Sequence, residues 1–134
     1  MTTPLYALIG FVFWTSFLLV GIAAMRVSKV VAGQAGPGDF PAGVQHGSDF
    51  YWRWNRAHAN CLENLPIFGA VVLAAAAAGF ASPGFDTCAR VFMGARIGQS
   101  VAHISSGSAP AVNIRFGFYL VQFGCVIAMA LMLV

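Results

Sequence analysis

Charged side chains are scarce in this sequence. Only 8% of its 134 residues are Asp, Glu, Lys or Arg, whereas an average soluble domain carries about 25%. So few charges cannot cover the water-exposed surface of a domain of this size. The net charge is only +3 and no basic run is present, which excludes a nucleic-acid-binding protein. The 59% share of hydrophobic residues therefore predicts an integral membrane protein.

Several motifs of soluble enzymes are also missing. The three cysteines are an odd number and lie in or beside apolar stretches, so we expect buried thiols and no disulfide framework. The chain has no glycine-rich phosphate-binding loop, and its three histidines lack the spacing of metal ligands. The serines around Ser106 have no acidic residue nearby for a catalytic triad. We expect no metal site and no serine nucleophile.

Long apolar runs dominate what is present. The first, from Leu5 to Met25, is uncharged and reaches the roughly 20 residues that cross a bilayer. The residues before it include no basic side chain, so we expect a retained span rather than a signal peptide. Pro66 is expected to kink the second helix. The pattern predicts one all-α domain over residues 1–134, an antiparallel bundle of four transmembrane helices at about 4–31, 49–81, 85–107 and 113–134.

Basic residues predict the orientation in the membrane. Arg26, Lys29, Arg53 and Arg56 flank the first loop, and Arg115 follows the third. Because basic loops remain on the cytoplasmic side, we expect these two loops inside and both termini outside. The compact loops indicate a bacterial protein, and therefore a place in the inner membrane.

Polar residues recur at helical spacing inside these apolar helices. Those of the second helix follow one another at intervals of 3, 4 and 3 residues, which confines them to an arc of about 80°. Such a stripe should face another helix or a polar cavity, because ionisable groups in the bilayer are costly. The residues are Arg53, Arg56, Asn60 and Glu63 in the second helix, and Arg96, Gln99 and His103 in the third.

Arg115 adds another cation at the same side of the membrane. The pattern predicts a polar pocket with surplus positive charge, open to the cytoplasm. Since Arg binds carboxylates through two parallel hydrogen bonds, we expect an anionic ligand with carboxylate groups. The apolar walls would admit a hydrophobic second substrate from the lipid.

Alternatives to a ligand site remain open. In one alternative, the sole role of Arg56, Glu63 and Arg96 is to hold the bundle together by ion pairs between helices, although such pairs contribute little to stability. The protein would then be a lipid-binding scaffold. A small transporter subunit is a third hypothesis, but the chain lacks inverted repeats. His58 lies opposite the stripe and is expected to be a packing or interface residue.

The segment from Arg53 to Pro66 reads Arg-Trp-Asn-Arg-Ala-His-Ala-Asn-Cys-Leu-Glu-Asn-Leu-Pro. It resembles the second-helix signature of the MAPEG family, the membrane-associated proteins of eicosanoid and glutathione metabolism. The chain length, the four spans and the basic first loop are similar too. The resemblance implies a homotrimer of four-helix subunits that binds glutathione between neighbouring subunits, near the cytoplasmic side. Membrane lipid and a hydrophobic small molecule would be the further partners.

The resemblance also implies roles for individual residues. Arg56 would hold a carboxylate of glutathione, Asn60 its peptide group and Glu63 its ammonium group. Arg115 would stabilise the glutathione thiolate and is the candidate catalytic residue. The remaining candidates for the glutathione site are Arg26, Arg53, Arg96, His103 and Tyr119.

Two departures from the family pattern affect the expected reaction. His103 stands where members that make eicosanoids have a tyrosine, and the loop before Arg115 is longer. We therefore expect a detoxifying glutathione transferase or peroxidase, and no prostaglandin or leukotriene product. The family also contains lipid binders without activity, which keeps the scaffold alternative open.

Overall fold

The computed structural model describes residues 1–134 as four α-helices without strands. The helices are α1 (Thr3–Val31), α2 (Asp49–Ala77), α3 (Pro83–Ser105) and α4 (Ala109–Leu131). Contacts between successive helices show that they run antiparallel. Arg26 near the end of α1 bonds Tyr51 at the start of α2, and His103 near the end of α3 bonds Arg115 early in α4. The predicted all-α four-helix bundle is confirmed.

The helix ends differ from the prediction by up to four residues. Helix α2 ends at Ala77 rather than Ala81, and Gly79 takes a left-handed φ of +65° just beyond it, a conformation that commonly terminates helices. Helix α4 begins at Ala109 rather than Asn113, because the Ser108 side chain caps it and Pro110 fits its first turn. Helix α3 spans 83–105 rather than 85–107.

Three phenylalanines hold the centre of the bundle together. The rings of Phe68 and Phe92 stack with centroids 4.1 Å apart, and Phe11 lies against both at 6.2 and 5.7 Å. All three side chains are fully buried. This cluster joins α1, α2 and α3 and fixes their relative positions.

Helices α2 and α3 form the centre of the fold. Each of them contacts all of the other helices, whereas α1 and α4 lie apart. Gly98 lets α4 approach closely, since a Cβ at this position would lie 2.7 Å from the Phe118 ring. Gly94, one turn earlier, has open space around it. The polar residues of α3, including Arg96 and Gln99, are buried between the helices.

The exterior of the bundle is apolar. Helices α1, α2 and α4 are long and apolar enough to cross a membrane, whereas α3 falls outside this class, since polar residues occupy its inward face. Helix α2 has 29 residues and is continuous through Pro66, so it measures about 44 Å. We call the end that carries the α1–α2 and α3–α4 loops the basic end. The opposite end, which carries the α2–α3 turn and both termini, is the far end.

Candidate functional site

The polar stripe of α2 lies beside the last turns of α3. The Arg53 Nε donates a hydrogen bond to the Ile104 carbonyl at 3.0 Å. Arg56 and Glu63 are exposed, while Asn60 is half-buried. The stripe therefore runs along the edge of a single chain. A closed site requires a second surface against this edge.

His103 connects the stripe to α4. Its Nδ1 lies 2.9 Å from an Nη of Arg115, and its Nε2 lies 2.7 Å from the Asn60 side-chain amide. The imidazole is only 8% exposed. One side chain thus links α2, α3 and α4 at the basic end, and it brings together three of the predicted site residues.

Arg115 is held through its backbone as well. The Gln99 Nε2 donates to the Arg115 carbonyl at 3.1 Å, and the Gln122 Nε2 donates to the Gln99 Oε1 at 3.0 Å. Both glutamines are buried. The position of Arg115 relative to α3 is therefore fixed at the main chain and at the side chain.

Arg96 lies apart from the other predicted site residues. It is 1% exposed, and its guanidinium stands over the Phe11 ring, 5.6 Å from the centroid. None of its three guanidinium nitrogens has a hydrogen-bond partner. The alternative in which Arg96 forms an interhelical ion pair is therefore not realised within this chain, and Arg96 faces the core rather than the stripe.

Arg26 lies on the other side of α2. Its Nε donates to the Tyr51 hydroxyl at 2.7 Å, and its guanidinium also reaches the Asn55 amide oxygen at 3.5 Å. Tyr51 and Asn55 are about half a turn away from Arg53 around the helix axis. Within one chain, Arg26 is thus not brought to the stripe. Its side chain holds the start of α2 against the end of α1.

Tyr119 belongs to the exposed face of α4. It is 42% exposed, and its ring stacks between those of Phe116 and Phe123 at centroid distances of 6.3 and 6.2 Å. It follows Arg115 by one helical turn and so lies on the same side of α4. The three aromatic rings therefore form an exposed apolar row along α4 that begins beside Arg115.

The arrangement can bind an anion. It presents the cations of Arg53, Arg56 and Arg115 with Glu63 as the single carboxylate on the stripe, and cationic donors bind carboxylate or thiolate strongly. No three His, Cys, Asp or Glu side chains converge in a way that could hold a metal ion.

Some contributors to the site were not predicted. Gln122 is the one amide side chain in the otherwise apolar second half of α4, and that exception is the signal that could have identified it. The Trp14 indole donates to the Ser100 hydroxyl at 3.1 Å, which ties α1 to the same region of α3. Tyr51 at the start of α2 also escaped the prediction, since nothing in the local pattern marks its contact with Arg26.

Comparison with protein-family models matches residues 4–134 to the MAPEG family. The match covers nearly the whole chain and confirms the resemblance that the second-helix segment indicated. It also supports assignment of the four-helix bundle to the membrane. A comparison with curated proteins finds no match.

Proposed function

The chain belongs to the MAPEG family, and on this premise we propose that it is a membrane-bound glutathione transferase or glutathione-dependent peroxidase. The observation that carries the proposal is the bridge through His103. It links the Arg115 guanidinium through the imidazole ring to Asn60, which lies in the middle of the stripe that matches the family signature. Family membership by itself supports only a membrane protein of glutathione and eicosanoid metabolism.

The spacing of the stripe fits a tripeptide. Arg56 and Glu63 are seven residues apart, which is about 10 Å along an α-helix. Three residues of extended peptide also span about 10 Å. In this proposal Glu63 accepts hydrogen bonds from the glutathione ammonium, Arg56 binds a carboxylate, and Asn60 bonds the peptide between them. The sulfur then lies near the middle of the stripe, on the side of Arg115.

Arg115 would favour the ionised sulfur. A free thiol has a pKa near 8.5, and only the thiolate is a strong nucleophile. A fixed guanidinium stabilises the thiolate without accepting its proton, and each unit of pKa lowering requires about 1.4 kcal/mol of differential interaction. With an aryl halide as electrophile, a sulfur–carbon bond would form while the carbon–halogen bond breaks, and halide would leave.

The exposed stripe supports a homotrimer. Glu63, at the deep end of the stripe, would otherwise face lipid at the surface of the bundle, which is costly in the apolar region. A neighbouring copy would cover it and close the glutathione site. Arg26 of α1 packs against the face of α2 opposite the stripe. It could therefore contact only the stripe of a neighbouring copy. We propose that the site opens to the cytoplasm of a bacterial cell.

Glutathione binding to the detergent-purified protein tests the proposal directly. We expect saturable binding at millimolar glutathione or below, conjugation of an aryl halide, and a trimeric mass of the protein–detergent complex. Absence of binding at millimolar glutathione would contradict the transferase. A mass corresponding to monomers alone would contradict the shared site.

One observation favours a second function, lipid binding without catalysis. An apolar groove of about 470 Å³ runs between α1 and α3 and could hold an acyl chain; it is lined by Gly10, Phe13, Trp14, Phe17, Met93 and Ile97. Binding of a fatty acid in this groove, together with no glutathione binding, would support the scaffold.

A further inference from the structure

The hydrogen bonds of His103 determine its protonation state. A guanidinium can only donate hydrogen bonds, so the Nδ1 that faces Arg115 at 2.9 Å must accept. A neutral imidazole carries its single proton on the other nitrogen, Nε2. The Asn60 amide nitrogen, Nδ2, is placed 2.7 Å from Nε2, and two donors cannot bond each other, so the amide must be flipped to present its Oδ1 as the acceptor. The geometry thus requires neutral His103 with the proton on Nε2.

A second proton on the ring, at Nδ1, would break the hydrogen bond from Arg115. The imidazolium has no lone pair to accept from Arg115, and its charge would oppose that of the guanidinium. Arg56 on α2 and Arg96 on α3 add positive charge to this part of the bundle, which also disfavours the imidazolium. The neutral ring is therefore the form that fits the contacts with Asn60 on α2 and Arg115 on α4.

Neutral His103 also restricts the direction of the Arg115 side chain. The Arg115 backbone is bonded to Gln99 on α3, and without a second contact the long side chain could turn toward the headgroups. The bond to Nδ1 holds the guanidinium against α3 instead. The imidazole ring stands between the guanidinium and Asn60 of α2, which contacts the other ring nitrogen.

We propose that His103 is a positioning residue for Arg115. In its Nε2-protonated form it holds the guanidinium against α3, across the imidazole ring from Asn60 of the stripe, and so directs the charge toward the place where the sulfur of bound glutathione would lie. This inference rests on the proposed function, and it assigns His103 a role that acts through Arg115 rather than by direct contact with glutathione. Orientation of the charge is essential because thiolate stabilisation depends on a fixed donor.

Two substitutions separate this role from simple packing. His103→Phe keeps an aromatic ring but removes the acceptor, whereas His103→Gln retains one side-chain acceptor and one donor. We expect His103→Phe to reduce kcat at neutral pH by about tenfold or more, to raise the pH at which the bound thiol ionises, and to change glutathione affinity by less than about threefold. His103→Gln should recover most of the loss. His58→Phe, on the other face of α2, is the matched control.

A double substitution tests whether His103 acts through Arg115. In the Arg115→Leu background, adding His103→Phe should leave the thiolate absorbance titration unchanged, because the guanidinium that His103 positions is gone. If the double variant instead shifts the thiolate titration by the sum of the two single shifts, the inference is overturned and His103 acts directly on glutathione. A trimer that survives each substitution shows that the variants are folded.

A measurement without glutathione keeps the two proposals distinguishable. Nitrogen NMR of ¹⁵N-histidine-labelled protein, with the His103 signals assigned by loss in His103→Gln, reports the tautomer. We expect protonated Nε2 and unprotonated Nδ1 in the wild type, and a shift of the Nδ1 signal in Arg115→Leu. Protonated Nδ1 in the wild type, or no shift in Arg115→Leu, would overturn the His103–Arg115 contact. Failure of the wild type to bind glutathione would instead overturn the proposed function.

Discussion

The basic end and the far end of the bundle are built from the same four helices but are held together differently. At the basic end, side-chain hydrogen bonds cross between α2, α3 and α4 through Arg53, His103 and Arg115. At the far end the contacts are apolar, as in the edge-to-face pair of Phe80 and Phe85 at 5.6 Å. Apolar packing suffices to join helices in lipid. The polar contacts at the basic end therefore indicate a role beyond holding the helices together.

The far end provides matched controls for this comparison. Its only charged residues are Asp86 and Arg90, in the first half of α3. Each can be neutralised with the same kind of substitution as a residue of the site. If the loss of a charge affects glutathione binding or turnover only at the basic end, neutralising Asp86 or Arg90 should leave both unchanged.

The largest effect is expected for Glu63→Gln, which keeps the shape of the side chain and removes its charge. Loss of one partner from a desolvated charge pair typically costs about 2–5 kcal/mol. Once a neighbouring copy covers Glu63, glutathione affinity measured by calorimetry should drop by about tenfold or more. Asp86→Asn should leave it unchanged. Unaltered affinity together with a weakened trimer would instead identify Glu63 as a structural lock.

Arg115→Leu should act on the thiol rather than on binding. Without the guanidinium, the pKa of the bound thiol rises toward its free value, and the thiolate fraction at neutral pH falls about tenfold per unit. Turnover should fall accordingly and partly recover as the pH is raised. Thiolate absorbance of the glutathione complex against pH measures this. Arg90→Leu is the control, and titration curves identical to the wild type in Arg115→Leu would show that Arg115 only anchors α4.

Gly98→Ala tests how far the site depends on close packing of α3 and α4. The new Cβ would lie 2.7 Å from the Phe118 ring, so the ring and the adjoining part of α4 must move. Overpacking of this kind typically costs about 1–3 kcal/mol, and we expect a lower Tm in detergent. Gly94→Ala has open space at the same helix and should keep the wild-type Tm or exceed it, since alanine favours helices. Equal Tm values would show that Phe118 adapts freely.

Gln122→Leu should have the smallest effect. Its Nε2 donates to Gln99, but its own Oε1 is buried without a partner. The substitution removes two hydrogen bonds of Nε2, to Gln99 and to the Phe118 carbonyl. It leaves the Gln99 Oε1 without this donor but also removes the unsatisfied Oε1 of Gln122, so the change in stability should stay within about 1 kcal/mol. Thermal unfolding in detergent measures it. A much larger loss would show that the glutamine pair, rather than His103, fixes α4 at the basic end.

The sequence predicted the helices well because apolar runs and their breaks are local signals. The helix ends were predicted less accurately. The segment with Ser108 and Pro110 resembles a loop, but Ser108 caps α4 and Pro110 lies in its first turn. A short polar cluster followed by proline is compatible with either structure. Only the position of the serine hydroxyl against the Ala111 N–H decides between them.

The arrangement of the candidate site residues could be predicted only in part, because local spacing does not show which helices pack together. The 3-and-4 spacing identified Arg56, Asn60 and Glu63 as one stripe, but it could not show which stripe of α3 would meet it. His103 turns toward Asn60, whereas Arg96, seven residues earlier, is buried over Phe11. Two residues on one face of a helix can meet different neighbours, because the helices around α3 change along its length.

The length of α2 also has a consequence for the proposed glutathione site. At about 44 Å, α2 exceeds the roughly 30 Å hydrocarbon thickness of a bilayer. Its uncharged part begins at Asn64, so the excess length falls on the turns that carry Arg53 and Arg56. These turns would stand in the aqueous and headgroup layers, and only the deepest part of the stripe would touch the oily interior. A water-soluble tripeptide could then dock without entering hydrocarbon, while its sulfur points toward a reactant that never leaves the lipid.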